Sequence, residues 1–195
     1  MHKSKLSGLS FALVVSLSAL SACALMLGSN EPMNSSPPMV GGAAMYPTKD
    51  IIDNAVNSKD HTTLVAAVKA AGLVETLKSS GPFTVFAPTN AAFAALPAGT
   101  VDTLLKPENK PTLTKVLTYH VVAGKMDAAA LSKAIMAGGG KATLKTVSGG
   151  TLNVMSSGAT VRVTDESGGT AHVTIADVVQ SNGVIHVVDK VLLPK

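Results

Sequence analysis

The spacing of apolar residues changes along the chain from a helical period to a strand-like one. Between Lys49 and Ala137, apolar side chains recur every three or four residues, which predicts amphipathic helices. After Gly138-Gly139-Gly140 the period falls to two, which predicts strands separated by Ser- and Gly-rich turns. A helical first half followed by a run of strands favours a segregated α+β fold over an alternating α/β fold.

Individual residues place the ends of several predicted elements. Gly72 is predicted to end a helix whose apolar stripe begins at Leu64, and Thr89 and Asp127 are predicted helix N-caps. Residues 83–87 are β-rich between two prolines, and we expect this strand to join the later sheet. The later strands are predicted as an antiparallel meander at 143–147, 151–155, 160–164, 170–179 and 184–192.

The N-terminus has the pattern of an export signal. His2, Lys3 and Lys5 precede an apolar stretch, residues 6–20, that is too short and too often interrupted by Ser to span a membrane. It ends at Leu20-Ser21-Ala22-Cys23, which resembles the lipobox of bacterial lipoproteins and implies lipidation of Cys23. A plain secretory leader cleaved after Ala24 fits the same residues.

The domain organisation predicted from these patterns has three parts. Residues 1–23 are the signal peptide, residues 24–45 a flexible tether rich in Pro, Gly and Ser, and residues 46–195 one folded domain. We expect the protein to be exported, either to the outer membrane or cell surface as a lipoprotein, or to the periplasm or medium. The lipid anchor would make the membrane one of its partners.

Composition narrows the range of partners. Aromatic residues make up 3% of the chain and Trp is absent, which disfavours stacking surfaces for sugars or single-stranded nucleic acid. Two of the 16 Lys and Arg lie in the leader, so 14 remain against 12 Asp and Glu. Because this balance is mild and the basic residues are scattered, we expect no nucleic-acid partner.

Three segments, in this order, resemble the fasciclin (FAS1) family. They are residues 83–93 (FTVFAPTNAAF), the pair Tyr119-His120, and residues 182–194 (NGVIHVVDKVLLP). The resemblance covers residues 46–194 and implies a wedge of two small β-sheets with helices from the N-terminal half packed on one side. It also implies an extracellular protein associated with adhesion. The signature residues that this resemblance carries over, mostly structural, are Phe83, Thr84, Phe86, Ala87, Pro88, Thr89, Phe93, Asn182, Gly183, His186 and Asp189.

Tyr119 and His120 are the candidate adhesion motif, because the corresponding pair in animal members is implicated in integrin binding. We predict that they begin a strand, with their side chains on opposite faces. The alternative is structural, with Tyr119 as a core phenol and His120 hydrogen-bonded to the backbone. Asn182-Gly183 suits a turn that needs a positive φ angle.

The sequence predicts no enzyme, cofactor or metal site. The chain has a single Cys, lacks a G-x-S-x-G motif and has no pair of His at metal-binding spacing. The segment Gly138-Gly139-Gly140-Lys141 leads into a strand and lacks the phosphate-loop spacing. His186 and Asp189, three apart on one predicted strand, would face opposite sides, and Asp165-Glu166 is expected in a solvated turn.

Two functions follow as hypotheses. The first is non-catalytic adhesion between cells, to matrix or to another surface, through a protein or glycan partner that the sequence does not identify. The alternative is a periplasmic or surface binding protein for a small molecule or polysaccharide. An exported hydrolase is the least supported, since no nucleophile is paired with a base in the sequence.

Overall fold

The structure, a computed structural model, describes residues 36–97, 99–158 and 160–195. The predictions for the leader, for Cys23 and for the tether up to residue 35 lie outside these residues. The α-helices are α1 (Ile51–Ala55), α2 (Thr62–Ala71), α3 (Val74–Lys78), α4 (Asn90–Ala94), α5 (Thr100–Leu105), α6 (Lys110–Tyr119) and α7 (Ala128–Ala137). The strands are β1 (Met39–Val40), β2 (Ala43–Ala44), β3 (Phe83–Pro88), β4 (Val121–Ala123), β5 (Lys141–Lys145), β6 (Thr151–Ser157), β7 (Thr160–Thr164), β8 (Thr170–Gln180) and β9 (Gly183–Val188).

Strands β3 to β9 form one bent sheet in the order β4-β3-β9-β8-β7-β6-β5. Shifts of register in β8, between Val173 and Val178, mark the place where the sheet bends. At the outer strands, Val122 forms a bridge with Thr146, and the N–H of Val147 donates to the C=O of Val121 at 2.8 Å. The sheet is therefore a wedge that approaches a closed barrel.

Two hydrophobic clusters fill the domain, one on each side of β3. Val85 and Ala87 belong to the first cluster, which also receives apolar residues from α1, α2, α3 and α6. Phe86, which points the opposite way in the same strand, belongs to the second cluster, together with Leu131 and Ile135 of α7. Full burial of a side chain such as Leu131 contributes about 2 kcal/mol. The predicted α+β class, with a wedge of sheet and packed helices, is confirmed.

Local sequence signals account for the helix ends that were predicted. The side chain of Thr89 accepts a hydrogen bond from the N–H of Ala92, and that of Asp127 accepts one from the N–H of Ala130. Gly72 follows α2 in the left-handed conformation, with φ of +74°. None of the helices in the described ranges is both long and apolar enough to cross a bilayer.

The domain begins earlier than residue 46. Residues 36–45, predicted as part of the tether, include the hairpin of β1 and β2, and the N–H of Met45 donates to the C=O of Pro38 at 3.0 Å. Val40 and Met45 are only 3% and 2% exposed and belong to the first cluster. The two glycines that suggested a tether form the turn of this hairpin, both with positive φ.

Other predictions need correction where long-range contacts decide the structure. Tyr119 is the last residue of α6 and His120 is its C-cap, so the strand begins only at Val121. The meander is antiparallel as predicted, but β3 pairs with β9 in parallel, with Phe83 opposite Gly183. This last strand ends at residue 188 rather than 192.

Candidate functional site

Tyr119 of the candidate adhesion motif lies inside the second cluster. Its ring is fully buried, and its hydroxyl donates to the C=O of Thr151 at 2.7 Å and accepts from the N–H of Glu166 at 3.0 Å. Burial raises the pKa of the phenol. A Cβ atom at Gly150 would lie 2.6 Å from the ring, so glycine is needed there for the ring to fit. The phenol thus joins the end of α6 to β6 and to the β7–β8 turn.

His120, the other half of the motif, is also buried. Its Nδ1 lies 2.8 Å from the C=O of Val116, and its Nε2 accepts from the N–H of Leu192 at 2.9 Å. Only a neutral ring with the proton on Nδ1 satisfies both partners. Burial lowers the pKa of His120 to about 4, which keeps the ring neutral. The imidazole therefore ties α6 to the C-terminal segment.

The buried environment of both side chains matches the structural alternative. In this conformation neither side chain reaches a partner directly. The adhesive role implied by the resemblance stays a prediction, and the pair could serve it only by holding the surface around β4 in place.

His186 of the closing block stacks against Phe86 of the first block, with 5.6 Å between ring centres. Its Nε2 lies 2.7 Å from the C=O of Met126, and its Nδ1 accepts a longer bond, 3.4 Å, from the N–H of Asp177. Burial lowers the pKa of His186. The carboxylate of Asp189 points elsewhere and accepts from the N–H of His172 at 2.7 Å, so His186 and Asp189 form no pair.

Asn182 and Gly183 have a different role from the turn geometry predicted for them. Neither residue has a positive φ angle. A Cβ atom at Gly183 would lie 2.1 Å from the carbonyl oxygen of Phe83, so glycine is required by the close approach of β3 and β9. The Asn182 side chain accepts from the N–H of Ile51 at 3.2 Å and donates to the C=O of Leu77 at 2.7 Å, fastening two helices to the sheet.

The remaining signature residues hold β3 in place. The buried Thr84 hydroxyl donates to the C=O of Gly124 at 2.7 Å and accepts from the N–H of Met126 at 2.8 Å. The N–H of Thr89 donates to the C=O of Val188 at 3.3 Å. Three apolar members of the first block are buried within the domain: Ala87, Pro88 and Phe93.

Sequence reasoning missed two buried polar groups. Asp165, expected in a solvated turn, is 4% exposed, and its carboxylate accepts from the N–H groups of Ser167, Gly169 and Leu193 at 2.6 to 2.9 Å. Asn54 of α1 hydrogen-bonds to the backbone of Tyr46 and to the side chain of Gln180. Nothing in the local sequence signals Asn54, whereas the Asp-x-x-Gly-Gly spacing is typical of a side chain that closes a turn.

The polar side chains described above form hydrogen bonds within the domain and have structural roles. Ser58 and His61 form a close Ser–His contact, with Oγ and Nδ1 2.9 Å apart, but they are 1% and 2% exposed. Backbone of the β1–β2 turn covers this contact, since the N–H of Lys59 donates to the C=O of Gly41. A substrate would not reach it. Within the described ranges, no group of three His, Cys, Asp or Glu is placed to hold a metal ion.

Comparison with known proteins agrees with this geometry. Residues 59–194 match the family model for the fasciclin domain. The chain is 50% identical over 157 residues to protein sll1483 of Synechocystis sp., covering 80% of this chain and 79% of that protein. It is 40% identical over 145 residues to the immunogenic protein MPB70 of Mycobacterium bovis, covering 72% of this chain and 66% of that protein.

A solved structure shares the fold. The FAS1 domain pair from the insect cell adhesion molecule Fasciclin I superposes with a TM-score of 0.68 at 18% identity, covering 75% of this chain and 51% of that one. The chain belongs to the fasciclin family, as its three signature segments indicated. Its folded part is one FAS1 domain.

Proposed function

We propose that this protein is exported and lipid-anchored at Cys23, and that its FAS1 domain mediates adhesion by binding a partner without chemical change. The partner is a protein or glycan on another cell, on matrix or on a surface. The observation that carries the proposal is the fasciclin match over residues 59–194, together with a fold shared with an insect cell adhesion molecule.

The geometry of the signature residues supports binding through the outer surface. The two buried imidazoles of the signature segments, those of His120 and His186, are neutral and hydrogen-bonded to the backbone. A substrate would find no reactive group exposed among them. A domain whose special residues all stabilise its interior offers a rigid surface, which is what a binding module requires.

Adhesion is tested by deleting the gene and measuring attachment of cells to one another, to matrix and to abiotic surfaces. We expect attachment to at least one of these to fall, and to return when the wild-type gene is supplied. A complementing gene whose product carries Gly183→Ala should restore less, because the domain would not fold properly. Unchanged attachment in all three assays would refute the adhesive function.

Lipid anchoring is tested separately with Cys23→Ser. If Cys23 carries the lipid, this variant should lose its acyl label and leave the membrane fraction, whereas Ser21→Thr should not change the fractionation. A leader cleaved after Ala24 predicts that wild type and Cys23→Ser fractionate alike. That result would remove the anchor from the proposal and leave adhesion untouched.

A small-molecule site has less support, but one groove favours it as the second candidate. The apolar cavities within the core hold about 10 to 30 Å³ each, space for roughly one water molecule. A polar groove of about 510 Å³ opens where β3 and β9 begin, lined by Ser80, Lys125 and Ser181 among others. A thermal-shift screen of polar metabolites tests it, and the absence of any shift would exclude this second function.

A further inference from the structure

One face of the sheet packs against the second hydrophobic cluster. On strands β5, β6 and β7, the residues that point inward are apolar and buried: Ala142, Leu144, Leu152, Val154 and Val163. Helix α7 packs on this side through Leu131 and Ile135. Because side chains alternate along a strand, the residues between these must point to the opposite side, which we call the outer face.

A row of long side chains that includes two cations, which we call the cationic row, crosses the outer face. Lys141, Met155, Arg162 and His172 are direct neighbours on β5, β6, β7 and β8. Three strand spacings of about 4.8 Å make this row about 14 Å long. Lys145 lies on the same face four residues from Lys141, which adds a charge about 14 Å away along the strand.

These charges have no carboxylate partner within the part of the chain that the structure describes. The ion pairs found there belong to Lys78, and none reaches Lys141, Lys145 or Arg162. The Nε of Arg162 is buried without a hydrogen-bond partner among the described residues. The guanidinium group therefore lies against the surface of the sheet, and no carboxylate of the described residues forms an ion pair with it.

A second row on the outer face is polar and uncharged. Thr143, Asn153, Thr164 and Thr170 are direct neighbours across the same four strands, two residues along from the cationic row. The Thr143 hydroxyl donates to the Asn153 side chain at 3.1 Å. The row offers hydroxyl and amide groups beside the charges, all of which can donate or accept hydrogen bonds.

Two carboxylates near this face accept hydrogen bonds from residues of its strands. The carboxylate of Glu166 accepts from the N–H and hydroxyl of Thr151, and these hydrogen bonds lower the pKa of Glu166. The carboxylate of Asp189 accepts from the backbone N–H of His172. Neither carboxylate forms an ion pair with Lys141, Lys145 or Arg162 among the described residues.

The side chains of the two rows favour one class of polyanion as the ligand over the others. An anionic membrane is bound through several inserted apolar or aromatic side chains or through clusters of four to eight Lys and Arg. The two rows and Lys145 offer three such cations and one exposed apolar side chain, Met155. Single-stranded nucleic acid is bound through aromatic stacking, and neither row contains an aromatic ring apart from the imidazole of His172. An acidic polysaccharide needs cations for its carboxylates or sulfates and hydrogen-bonding groups for its hydroxyls, and the two rows supply both.

We propose that the outer face, through Lys141, Lys145 and Arg162 with the Thr143–Asn153 row beside them, binds an acidic polysaccharide. The inference rests on the proposed adhesive function for its role on the cell, and it names the partner chemistry and the surface used. Polysaccharide binding is measured with purified protein. Its result is therefore independent of the result of the cell-attachment assay. Each contact is weak, and affinity comes from repeated anions along the polymer.

The experiment measures binding of the purified full-length protein to polygalacturonate and to dextran sulfate, with neutral dextran as the blank. The test variant is Lys141→Gln/Arg162→Gln, and the matched control is Lys69→Gln/Lys106→Gln, which removes two exposed charges elsewhere. We expect the test variant to bind about tenfold more weakly, since each exposed charge pair contributes a factor of up to about five. The control should bind like wild type, and added salt should weaken wild-type binding.

Two further variants keep the test decisive. Lys141→Gln/Lys145→Gln changes only exposed ends of β5, so it applies even if Arg162→Gln lowers the melting temperature. Asn153→Ala should weaken binding severalfold without altering charge, because it removes a hydrogen-bonding group from the polar row.

Several results would overturn the inference. They are no binding of wild type to either polyanion, equal losses in the test and control variants, or binding to vesicles with anionic lipid but not to the polysaccharides. If the polysaccharides bind as expected and the deletion strain attaches normally, the adhesive function fails while the binding face stands. If attachment falls and neither polyanion binds, adhesion stands and this face is not its basis.

Discussion

Lowering the pH should destabilise the domain through His120. The ring is fully enclosed and neutral, with Nδ1 beside the C=O of Val116 and Nε2 accepting from the N–H of Leu192. Its pKa falls from 6.5 to about 4 on folding, chiefly through burial. Between these values the unfolded chain binds more protons than the folded one, so stability is lost as the pH falls through 6.5 and the loss is complete near 4.

The size of this effect follows from the two pKa values. One pKa unit corresponds to about 1.4 kcal/mol, so the full loss is about 3 kcal/mol, of which about 2 kcal/mol is reached at pH 5. For a domain of this size, 2 kcal/mol lowers the melting temperature by about 4 to 8 °C. Burial also lowers the pKa values of His61 and His186, and both act in the same direction.

The assay is urea unfolding of the wild type and of His120→Asn at pH 7 and pH 5. The variant should be less stable at pH 7, by about 2 kcal/mol, because a buried backbone group loses its partner. Its further loss between pH 7 and pH 5 should be smaller than that of wild type by about 2 kcal/mol. Met136→Ala, an exposed control that removes no titratable group, should keep the wild-type difference. Equal pH dependence in wild type and His120→Asn would refute the role given to this ring.

Two further substitutions test the signature residues. Gly183→Ala should cost about 3 kcal/mol, because the new Cβ would lie 2.1 Å from the carbonyl oxygen of Phe83 and push β3 from β9; a loss under 1 kcal/mol in urea unfolding would contradict this. Tyr119→Phe should cost about 2 kcal/mol, because it leaves the C=O of Thr151 and the N–H of Glu166 without their buried partner. A melting temperature unchanged by that substitution would show that the hydroxyl is dispensable.

Features decided by neighbouring residues could be predicted from the sequence. Thr89 and Asp127 cap their helices because a short acceptor side chain three residues before a free N–H suffices. Gly72 ends α2 because only glycine enters the left-handed region at little cost. The turns rich in Ser and Gly likewise predicted the boundaries between the later strands. The resemblance to the fasciclin family predicted the wedge shape of the sheet.

Features decided by distant residues could not be predicted in this way. The parallel pairing of β3 with β9 joins residues about one hundred positions apart, and no local pattern specifies it. Tyr119-His120 has a strand-like composition but continues α6, because the buried contacts of both rings fix that end of the helix. Lys141 and Arg162 can be placed in one row only when the register of four neighbouring strands is known, and the local sequence does not give that register.

The central claim, that this domain confers adhesion without catalysis, is tested most directly by a gain of attachment. Inert beads coated with the purified full-length protein are applied to cells of the producing organism and to its extracellular matrix, beside beads coated with albumin. We expect the protein-coated beads to be retained under flow and to be displaced by excess soluble protein. Retention no greater than that of the albumin-coated beads on both surfaces would contradict the account.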